Sequence, residues 1–513
     1  MKTIKHNIWT IALALTTLSL TACSNDDSVA ETQQPDGIKG HIVTLTATLL
    51  PKDGTATRAL ADPEDGTLTS EWAVDEELLV GYKDTNNEDA YAKGTVTSVD
   101  GSGNATITVP LTSPMEGEST IDFFYPYSSA SGDVDAYFDQ TGTLDDVSAN
   151  YDQCQGSGTL TVSSGTPTLP TGVAMTRQNC IWKFTFTDGT NDITDKITSL
   201  EIDDGSGGGV PYTITPDGLD AIYVSLYAVE DKTITITAQT ATGVYRKVKS
   251  GITLENGKLY TSSELALTKV ELGQLFGADG NIYANTAAVT AAGTTAIGVV
   301  AYLDQADTED DDAITEKNYG GGHGLVLCLK NATNNARWST DYTTEEFTGE
   351  SVTSAEALKR TENVSGYYNT TRLTAKESAN EKYPAAYLAE NYTGLAAPAT
   401  CNTGWFLPSA QQWVMMMKGL GGVDKNSVTW GSWFDNNHLG ASAWNTALEK
   451  AGAGNYDSMT YEYIFFWSSS EYSSGNAVYL SIDATYIGDQ NGFYFSHTGK
   501  NGSQYGVRPI LAF

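Results

Sequence analysis

The sequence is poor in cysteine, histidine and cationic side chains. Only 5 of its 513 residues are cysteine and 5 are histidine, which leaves few candidates for metal ligands or for thiol chemistry. Lysine and arginine number 29 against 63 aspartate and glutamate residues, so the formal net charge is -34. A surface this acidic repels phosphate backbones and anionic lipid head groups, which excludes a nucleic-acid-binding function.

The motifs of common catalytic sites are also missing. The sequence contains no G-x-S-x-G, H-E-x-x-H, C-x-x-C or phosphate-loop pattern, and its histidines do not stand at metal-ligand spacing. We therefore predict no catalytic residue, no metal site and no cofactor, and a protein that is not an enzyme. The acidic run at residues 304–312 lacks the glycine and the final glutamate of an EF-hand loop. It is interpreted as a solvated loop, with calcium binding as the alternative.

Residues 1–22 have the pattern of an export signal. Lys2 and Lys5 precede an apolar run from Ile8 to Leu20 that is too short to span a bilayer. The run leads into Leu20-Thr21-Ala22-Cys23, which resembles a bacterial lipoprotein processing box. The resemblance implies that Cys23 carries lipid, such as palmitate, and anchors the protein at the outer membrane, with residues 23–40 as a tether. An ordinary signal peptide with an incidental cysteine is the alternative.

The residues after the tether alternate between apolar and polar side chains, as in half-buried strands. The first such segment is His41–Leu50, and later ones include residues 182–187 and 233–237. Glycine, threonine and tyrosine are frequent and long periodic helices are few, which predicts a mainly β fold. Asn256-Gly257 is a strong hairpin-turn signal near the end of this region.

Several segments within residues 41–269 resemble the fimbrillin family of lipoprotein pilins. They are Thr57-Arg58-Ala59 after the first strand, Trp72 followed by an acidic turn, the aromatic segment 121–127 and the segment 254–260. The resemblance implies two transthyretin-like β-sandwich domains, at 41–175 and 176–269. It also implies polymerisation by strand exchange between subunits, with the other pilin subunits as partners.

The bond between Arg58 and Ala59 is predicted to be a proteolytic maturation site. A cut there would release the first strand and the lipid, and would open an apolar groove for the strand of another subunit. An ordinary loop arginine is the alternative, because exposed loops are cleaved in any case.

Residues 270–513 carry a second resemblance, in the segments 401–409 (CNTGWFLPS), 466–474 (FWSSSEYSS) and 505–513 (YGVRPILAF). These resemble the C-type-lectin-like domains of formylglycine-generating enzymes and of their non-catalytic major paralogous relatives. The resemblance implies an α+β domain. The spacing of apolar residues predicts two short amphipathic helices, one capped by Ser409 and one starting near Ser442. The enzymes need a cysteine pair close to the C-terminus, whereas the last cysteine here is Cys401, and the sugar-binding calcium motifs are absent as well.

Two glycine-bounded segments of this domain are predicted to be loops that contact an extracellular glycan or surface protein. The candidate ligand-binding residues combine aromatic faces, amides and a carboxylate. The alternative for each residue is an ordinary aromatic core with a polar rim. They are Trp433, Asn436, Asn437, His438, Glu471 and Tyr472.

Four cysteines remain once Cys23 is set aside, and the most local pair is Cys154 with Cys180. A disulfide between these two and reduced, buried thiols are both open. Taken together, the sequence predicts a fimbrial subunit at the tip of a fibre, with an adhesive lectin-like head. The alternative is a surface lipoprotein that captures glycan or protein ligands and does not polymerise.

Overall fold

The structure is a computed structural model that describes most, but not all, of the chain. The described residues are 44–49, 72–115, 119–163, 166–168, 171–206, 211–304, 314, 323–340, 353–354, 357, 364–400, 402–424, 430, 439–459, 464–483 and 492–513. The chain divides into two compact units. The first comprises Met1–Ser199, Tyr212–Asp231 and Ile252–Leu265, and the second comprises Leu200–Pro211, Lys232–Gly251 and Ala266–Phe513. Residues 176–269 therefore contribute to both units, and the domain borders drawn from the sequence stay predictions.

Strands dominate the described part of residues 44–177. Eight of them form one sheet in the order β10-β6-β5-β2-β3-β4-β1-β9, and β7 pairs with β8. Strand β1 runs antiparallel to β4 and parallel to β9. The strands are β1 (Thr44–Leu49), β2 (Glu77–Lys83), β3 (Asp89–Val99), β4 (Ala105–Pro110), β5 (Thr120–Tyr125), β6 (Cys154–Thr159), β7 (Thr161–Ser163), β8 (Thr166–Thr168), β9 (Thr171–Val173) and β10 (Thr176–Arg177).

The core of this sheet follows from the alternation of side chains along its strands. On β2, Leu78, Val80 and Tyr82 are buried on one face, as period-2 patterning requires. Trp72 meets Tyr125 edge to face, with ring centroids 5.2 Å apart. Full burial of one such apolar side chain contributes about 1.5–3 kcal/mol. The hydrophobic effect along β2 and its neighbours therefore holds the sheet together.

The strands from residue 179 to residue 269 form two further sheets. Their orders are β14-β11-β17 and β13-β12-β15-β16-β18. The turn predicted at Asn256-Gly257 joins β16 to β17, with Gly257 at a positive φ of 73° that glycine adopts without strain. The strands are β11 (Asn179–Thr187), β12 (Ile197–Asp203), β13 (Tyr212–Ile214), β14 (Ile222–Tyr227), β15 (Val229–Thr240), β16 (Gly243–Leu254), β17 (Leu259–Ala266) and β18 (Thr268–Lys269).

Strand β11 carries the aromatic alternation seen in the sequence. Trp182, Phe184 and Phe186 are all buried, and their rings stack at centroid distances of 4.7 and 5.2 Å. Such stacking adds to the free energy that area burial provides. The sequence pattern thus correctly identified the core face of this strand.

The structure does not contain the disulfide considered between Cys154 and Cys180. Both are buried thiols, and so is Cys328. Cys154 lies on β6 in the first large sheet, whereas Cys180 lies on β11 and its thiol donates to the carbonyl of Leu226 at 3.4 Å. The two cysteines belong to different sheets, and the alternative of reduced, buried thiols is the one observed.

Residues 270–513 combine two five-stranded sheets. Their orders are β20-β19-β21-β22-β28 and β23-β27-β24-β25-β26. The strands are β19 (Leu275–Gly277), β20 (Ile282–Tyr283), β21 (Ala296–Leu303), β22 (Gly324–Cys328), β23 (Thr333–Ala336), β24 (Ile464–Ser473), β25 (Asn476–Asp483), β26 (Gly492–Gly499), β27 (Tyr505–Val507) and β28 (Ile510–Ala512).

The longer helices of the described residues all lie after residue 365. They are Gly366–Thr374, Pro384–Glu390, Ala410–Gly419 and Leu439–Glu449. Shorter turns of helix are Tyr127–Ser131, Leu144–Asp146, Thr286–Ala291 and Ala379–Lys382, with a π-helix at Val147–Tyr151 and a 3-10 helix at Thr194–Lys196. The mainly β fold class with an α+β C-terminal region is confirmed. None of the helices in the described residues is both long enough and apolar enough to cross a bilayer.

The two helices predicted from the sequence are present and fill the core of the C-terminal region. Ser409 begins the first helix with a capping box. Its hydroxyl accepts a hydrogen bond from the backbone N–H of Gln412, and the side-chain oxygen of Gln412 accepts one from the backbone N–H of Ser409. Trp413 of this helix stacks on Trp444 of the second, with ring centroids 5.9 Å apart, and also packs on Phe466. The second helix begins at Leu439, three residues earlier than its predicted start near Ser442.

Candidate functional site

Most of the site residues named from the sequence lie outside the described residues. These are the lipidation candidate Cys23, the maturation site Arg58-Ala59, and the loop candidates Trp433, Asn436, Asn437 and His438. Their roles stay predictions. The described candidates are Glu471 and Tyr472, and both lie in strand β24 rather than in the loop that the sequence predicted.

Glu471 is a buried member of an ion pair. Its carboxylate contacts the ammonium of Lys500, and the side chains are only 3% and 0% exposed. The Lys500 ammonium also lies 4.7 Å from the ring centroid of Trp338, within the range of a cation–π contact. A carboxylate enclosed in this way is already paired, so its observed contacts are structural rather than ligand-facing.

Tyr472, the next residue, belongs to a stack of three rings at the end of the same sheet. Its ring lies parallel to that of His497 on β26, with centroids 3.6 Å apart. Trp430 stacks beside them, 5.9 Å from Tyr472 and 6.2 Å from His497. All three side chains are partly exposed, so the stack forms an aromatic surface that a ligand can contact.

His497 is the titratable member of this stack. Burial lowers the pKa of its imidazole below the ordinary value, because the charged form loses hydration. Its Nδ1 has no hydrogen-bond partner among the described residues. The imidazole is therefore neutral near pH 7 and stacks as an uncharged ring.

A second candidate surface, which the sequence did not indicate, is a cleft of about 400 Å³ beside the sheet that contains β23, β24 and β27. We name it the Asn334 cleft, after an exposed residue on β23. Its volume falls in the range of about 300–1,000 Å³ that is typical of small-molecule sites. Its lining includes Asn331, Asn334, Asp457, Phe465, Gln504 and Tyr505.

The polar residues of the Asn334 cleft are held in place by hydrogen bonds. The Asn331 side-chain amide donates to Asn334 Oδ1 at 2.6 Å, and the Asn331 backbone N–H donates to Asp457 Oδ2 at 2.8 Å. The cleft is also lined by Phe465 and Tyr505, whose rings stack with centroids 4.9 Å apart. Tyr505 belongs to the C-terminal segment 505–513, which stands out in the sequence. Asn331 and Asp457, in contrast, stand 126 residues apart along the chain. No local pattern connects them.

Arg508 lies behind the polar wall of this cleft and is fully buried. Its NH1 donates to Asn331 Oδ1 at 2.9 Å and to the Asp457 carbonyl at 3.2 Å. Burial lowers its pKa to about 10. Nε and NH2 have no hydrogen-bond partner within the part of the chain that the structure describes. The guanidinium thus orients two cleft residues from the protein interior.

Strand β1 marks a third candidate region, in the first unit. Every β1 residue from Thr44 to Leu49 is paired with β4 in antiparallel register, and Thr48 and Leu49 are also paired with β9. Removing β1 from this position exposes the backbone donors and acceptors of β4 along six residues. Such an edge is the template on which an added strand pairs.

Within the described residues, no group of three or more histidine, cysteine, aspartate or glutamate side chains is arranged to hold a metal ion.

Comparison with known proteins returned no matching family model and no matching curated protein. Among solved structures, a fimbrial protein from Bacteroides ovatus is 14% identical, with a TM-score of 0.35, over 94% of this chain and 100% of its own. The tip fimbrial protein Mfa3 from Porphyromonas gingivalis, with a C-terminal truncation, is 13% identical, with a TM-score of 0.21, over 43% of this chain and 94% of its own. A fimbrial assembly protein from Parabacteroides distasonis is 11% identical, with a TM-score of 0.22, over 44% and 91%. At these TM-scores the alignments do not establish a shared fold.

Proposed function

We propose that this protein is a surface subunit of a bacterial fimbria, placed at the tip of the fibre, with an adhesive C-type-lectin-like head at residues 270–513. The observation that carries the proposal is the position of strand β1. It lies between β4 and β9 and is followed by the predicted maturation site at Arg58-Ala59. Loss of β1 after cleavage leaves a strand-sized gap in the sheet, which a strand of a neighbouring subunit fills by β-augmentation.

The order of elements after the predicted second sandwich supports the tip position. The described part of residues 270–513 forms sheets and helices with their own core, and each of its strands is paired within one of these sheets. Such a subunit accepts a strand at the β1 position but donates none, so it ends a fibre. The partly exposed aromatic surfaces of this region support a role in adhesion.

Anchoring and release complete the proposal. Lipid on Cys23 holds the precursor at the outer membrane, where each buried methylene adds about 0.8 kcal/mol to membrane affinity. Cleavage after Arg58 then detaches the subunit from its lipid and opens the β1 position in one step.

The experiment is mass spectrometry of the N-terminus in two fractions. The membrane fraction should contain lipid-modified Cys23, and sheared fibres should contain Ala59 as the new N-terminus. Arg58→Ala should keep the protein in the membrane fraction and remove it from fibres, whereas Lys52→Ala, in the same region, should change neither. The proposal is wrong if fibre-associated protein still begins at Cys23. Absence of the protein from sheared fibres would favour the surface lipoprotein that does not polymerise.

A further inference from the structure

We propose that the Asn334 cleft binds a neutral sugar ring. This inference rests on the proposed adhesive function, because it names a ligand class and a site for residues 270–513. The cleft differs from the segments around Trp433 and Glu471 that the sequence indicated. It combines an aromatic wall with a fixed polar rim, the two components that carbohydrate recognition requires.

The aromatic wall provides the apolar contact. Phe465 and Tyr505 stack within 23° of parallel, and both side chains are partly exposed where they line the cleft. Tyr505 is further supported from behind by Trp467, at a centroid distance of 4.7 Å. A sugar ring presents C–H groups on one face. These groups pack against an aromatic ring, while the hydroxyl groups of the sugar stay available for hydrogen bonds. The wall is therefore rigid before a ligand arrives.

The polar rim provides both hydrogen-bond donors and hydrogen-bond acceptors. Asn334 and Gln504 contribute exposed amides, and Asp457 contributes a carboxylate. Asn331 links this rim together, because it bonds to Asn334, to Asp457 and to buried Arg508. Vicinal hydroxyl groups each donate and accept, so amide and carboxylate pairs satisfy them well. The network reduces the entropy lost on binding, since its side chains are already oriented.

Charge selects a neutral sugar over an acidic one. Asp457 is the only charged side chain among the described residues that line the cleft. Lys330 lies 3.5 Å from Asp457 Oδ1, and Arg508 bonds to the Asp457 carbonyl, but neither lines the cleft. A sugar carboxylate would thus meet a like charge without a cationic partner in the lining. The net charge of -34 opposes acidic ligands further, at a range limited by salt.

The test is ligand-observed NMR and titration on the purified full-length protein. The probes are glucose, galactose, mannose and N-acetylglucosamine, compared with glucuronic acid and sialic acid. We expect at least one neutral sugar to bind with a Kd on the order of 1 mM, as is usual for a single small contact surface. The acidic sugars should bind at least about tenfold more weakly, a difference of about 1.4 kcal/mol, because their carboxylate is repelled by Asp457.

The variants use exposed residues, so that folding is preserved. Asn334→Ala combined with Gln504→Ala should weaken the neutral sugar at least about tenfold, through loss of two hydrogen bonds. Asn335→Ala is the matched control, because Asn335 is the exposed neighbour on β23 that does not line the cleft. It should bind as the unmodified protein does. Tyr472→Ala should also leave binding unchanged, since its ring belongs to the other aromatic surface.

The inference is overturned if no neutral sugar binds, if acidic sugars bind more tightly, or if the double variant binds as the unmodified protein does. A loss of binding in Tyr472→Ala alone would assign the sugar to the three-ring stack instead. A parallel adhesion assay with whole cells tests the proposed adhesive function separately from sugar binding by the cleft. Adhesion without sugar binding contradicts this inference alone, whereas sugar binding without adhesion contradicts the proposed function.

Discussion

Strand β1 in the first unit and strand β28 in the second each have neighbours on two sides, yet they are held differently. β1 pairs with β4 along its whole length, but with β9 only at Thr48 and Leu49. β28 pairs with β22, and its Ile510 exchanges two backbone hydrogen bonds with Phe406, at 2.8 and 3.0 Å. The Thr403 hydroxyl accepts a further bond from the Ala512 amide. Backbone hydrogen bonds therefore hold β28 along both of its edges. Strand β1 is paired along its whole length on one edge only.

The side chains of β28 and of the residue after it are also packed in buried clusters. Ile510 belongs to one buried cluster of the second unit, whereas Leu511 and Phe513 belong to another. The strand thus joins two hydrophobic cores through the alternation of its side chains. A strand that is exchanged between subunits must leave a folded remainder behind, and β28 does not meet this condition. Strand β1 is therefore better suited to strand exchange than β28.

The largest expected effect comes from removing β28. Deletion of residues 510–513 should prevent folding of the second unit, because each large buried side chain lost costs about 2–5 kcal/mol. Their sum approaches the 5–15 kcal/mol that holds a typical domain together. Protein trimmed to begin at Ala59 should instead keep its second unit folded. Scanning calorimetry measures both, and a cooperative transition of the second unit in the deletion variant would contradict the comparison.

The next largest expected effect is a loss of stability when the cation of an ion pair is removed, and it should differ between the two units. Lys500→Met leaves the Glu471 carboxylate buried without its cation, and should lower the free energy of unfolding by about 3–5 kcal/mol. Lys93→Met in the first unit is the matched control. Lys93 bonds to Glu77 at 2.8 Å, but both side chains are nearly half exposed, so water replaces the lost contact.

Urea denaturation with far-ultraviolet circular dichroism measures both variants. We expect a clear shift of the midpoint for Lys500→Met and almost none for Lys93→Met. Equal shifts would mean that Lys500 is better hydrated than its position indicates. Lys500→Arg is informative as well, since a larger cation in the same enclosed space should recover only part of the loss.

Local patterns in the sequence predicted local structure well. The alternation around Trp182 predicted the buried face of β11. Ser409, predicted as the cap of a helix, begins one in the structure, which adds both bonds of a capping box. Each of these features depends on residues within a few positions of one another, so propensity and periodicity were sufficient.

Features that depend on distant residues were missed or misassigned. Glu471 follows a run of three serines, which favours a loop, but its pairing with Lys500 and the ladder of β24 with β25 place it inside a strand. The Asn334 cleft was not predicted, because Asn331 and Asp457 meet only after β23 and β24 join one sheet. Tertiary packing decided both cases, as it often overrides local propensity for strands.

The smallest expected effect is the pH dependence of the two units. Both histidines within the described residues, His323 and His497, belong to the second unit. Burial lowers the pKa of His497 in the folded state, whereas the unfolded chain keeps a value near 6.5. As the pH falls through that value, the unfolded state binds more protons than the folded state, so the second unit loses stability. Above it, this contribution to stability is fully present.

His497→Phe should remove that acid sensitivity while keeping a ring in the stack with Tyr472 and Trp430. Hydrogen-exchange pulse labelling along a urea titration, at about pH 5 and about pH 8, brackets the ordinary imidazole pKa. It follows β24–β26 and β2–β4 separately. In the unmodified protein the midpoint of β24–β26 should be lower at the acidic pH, and in His497→Phe this difference should shrink. The midpoint of β2–β4 should be the same in both proteins. If His497→Phe keeps the full acid shift, the sensitivity comes from other groups, and the imidazole is not the source of the difference between the units.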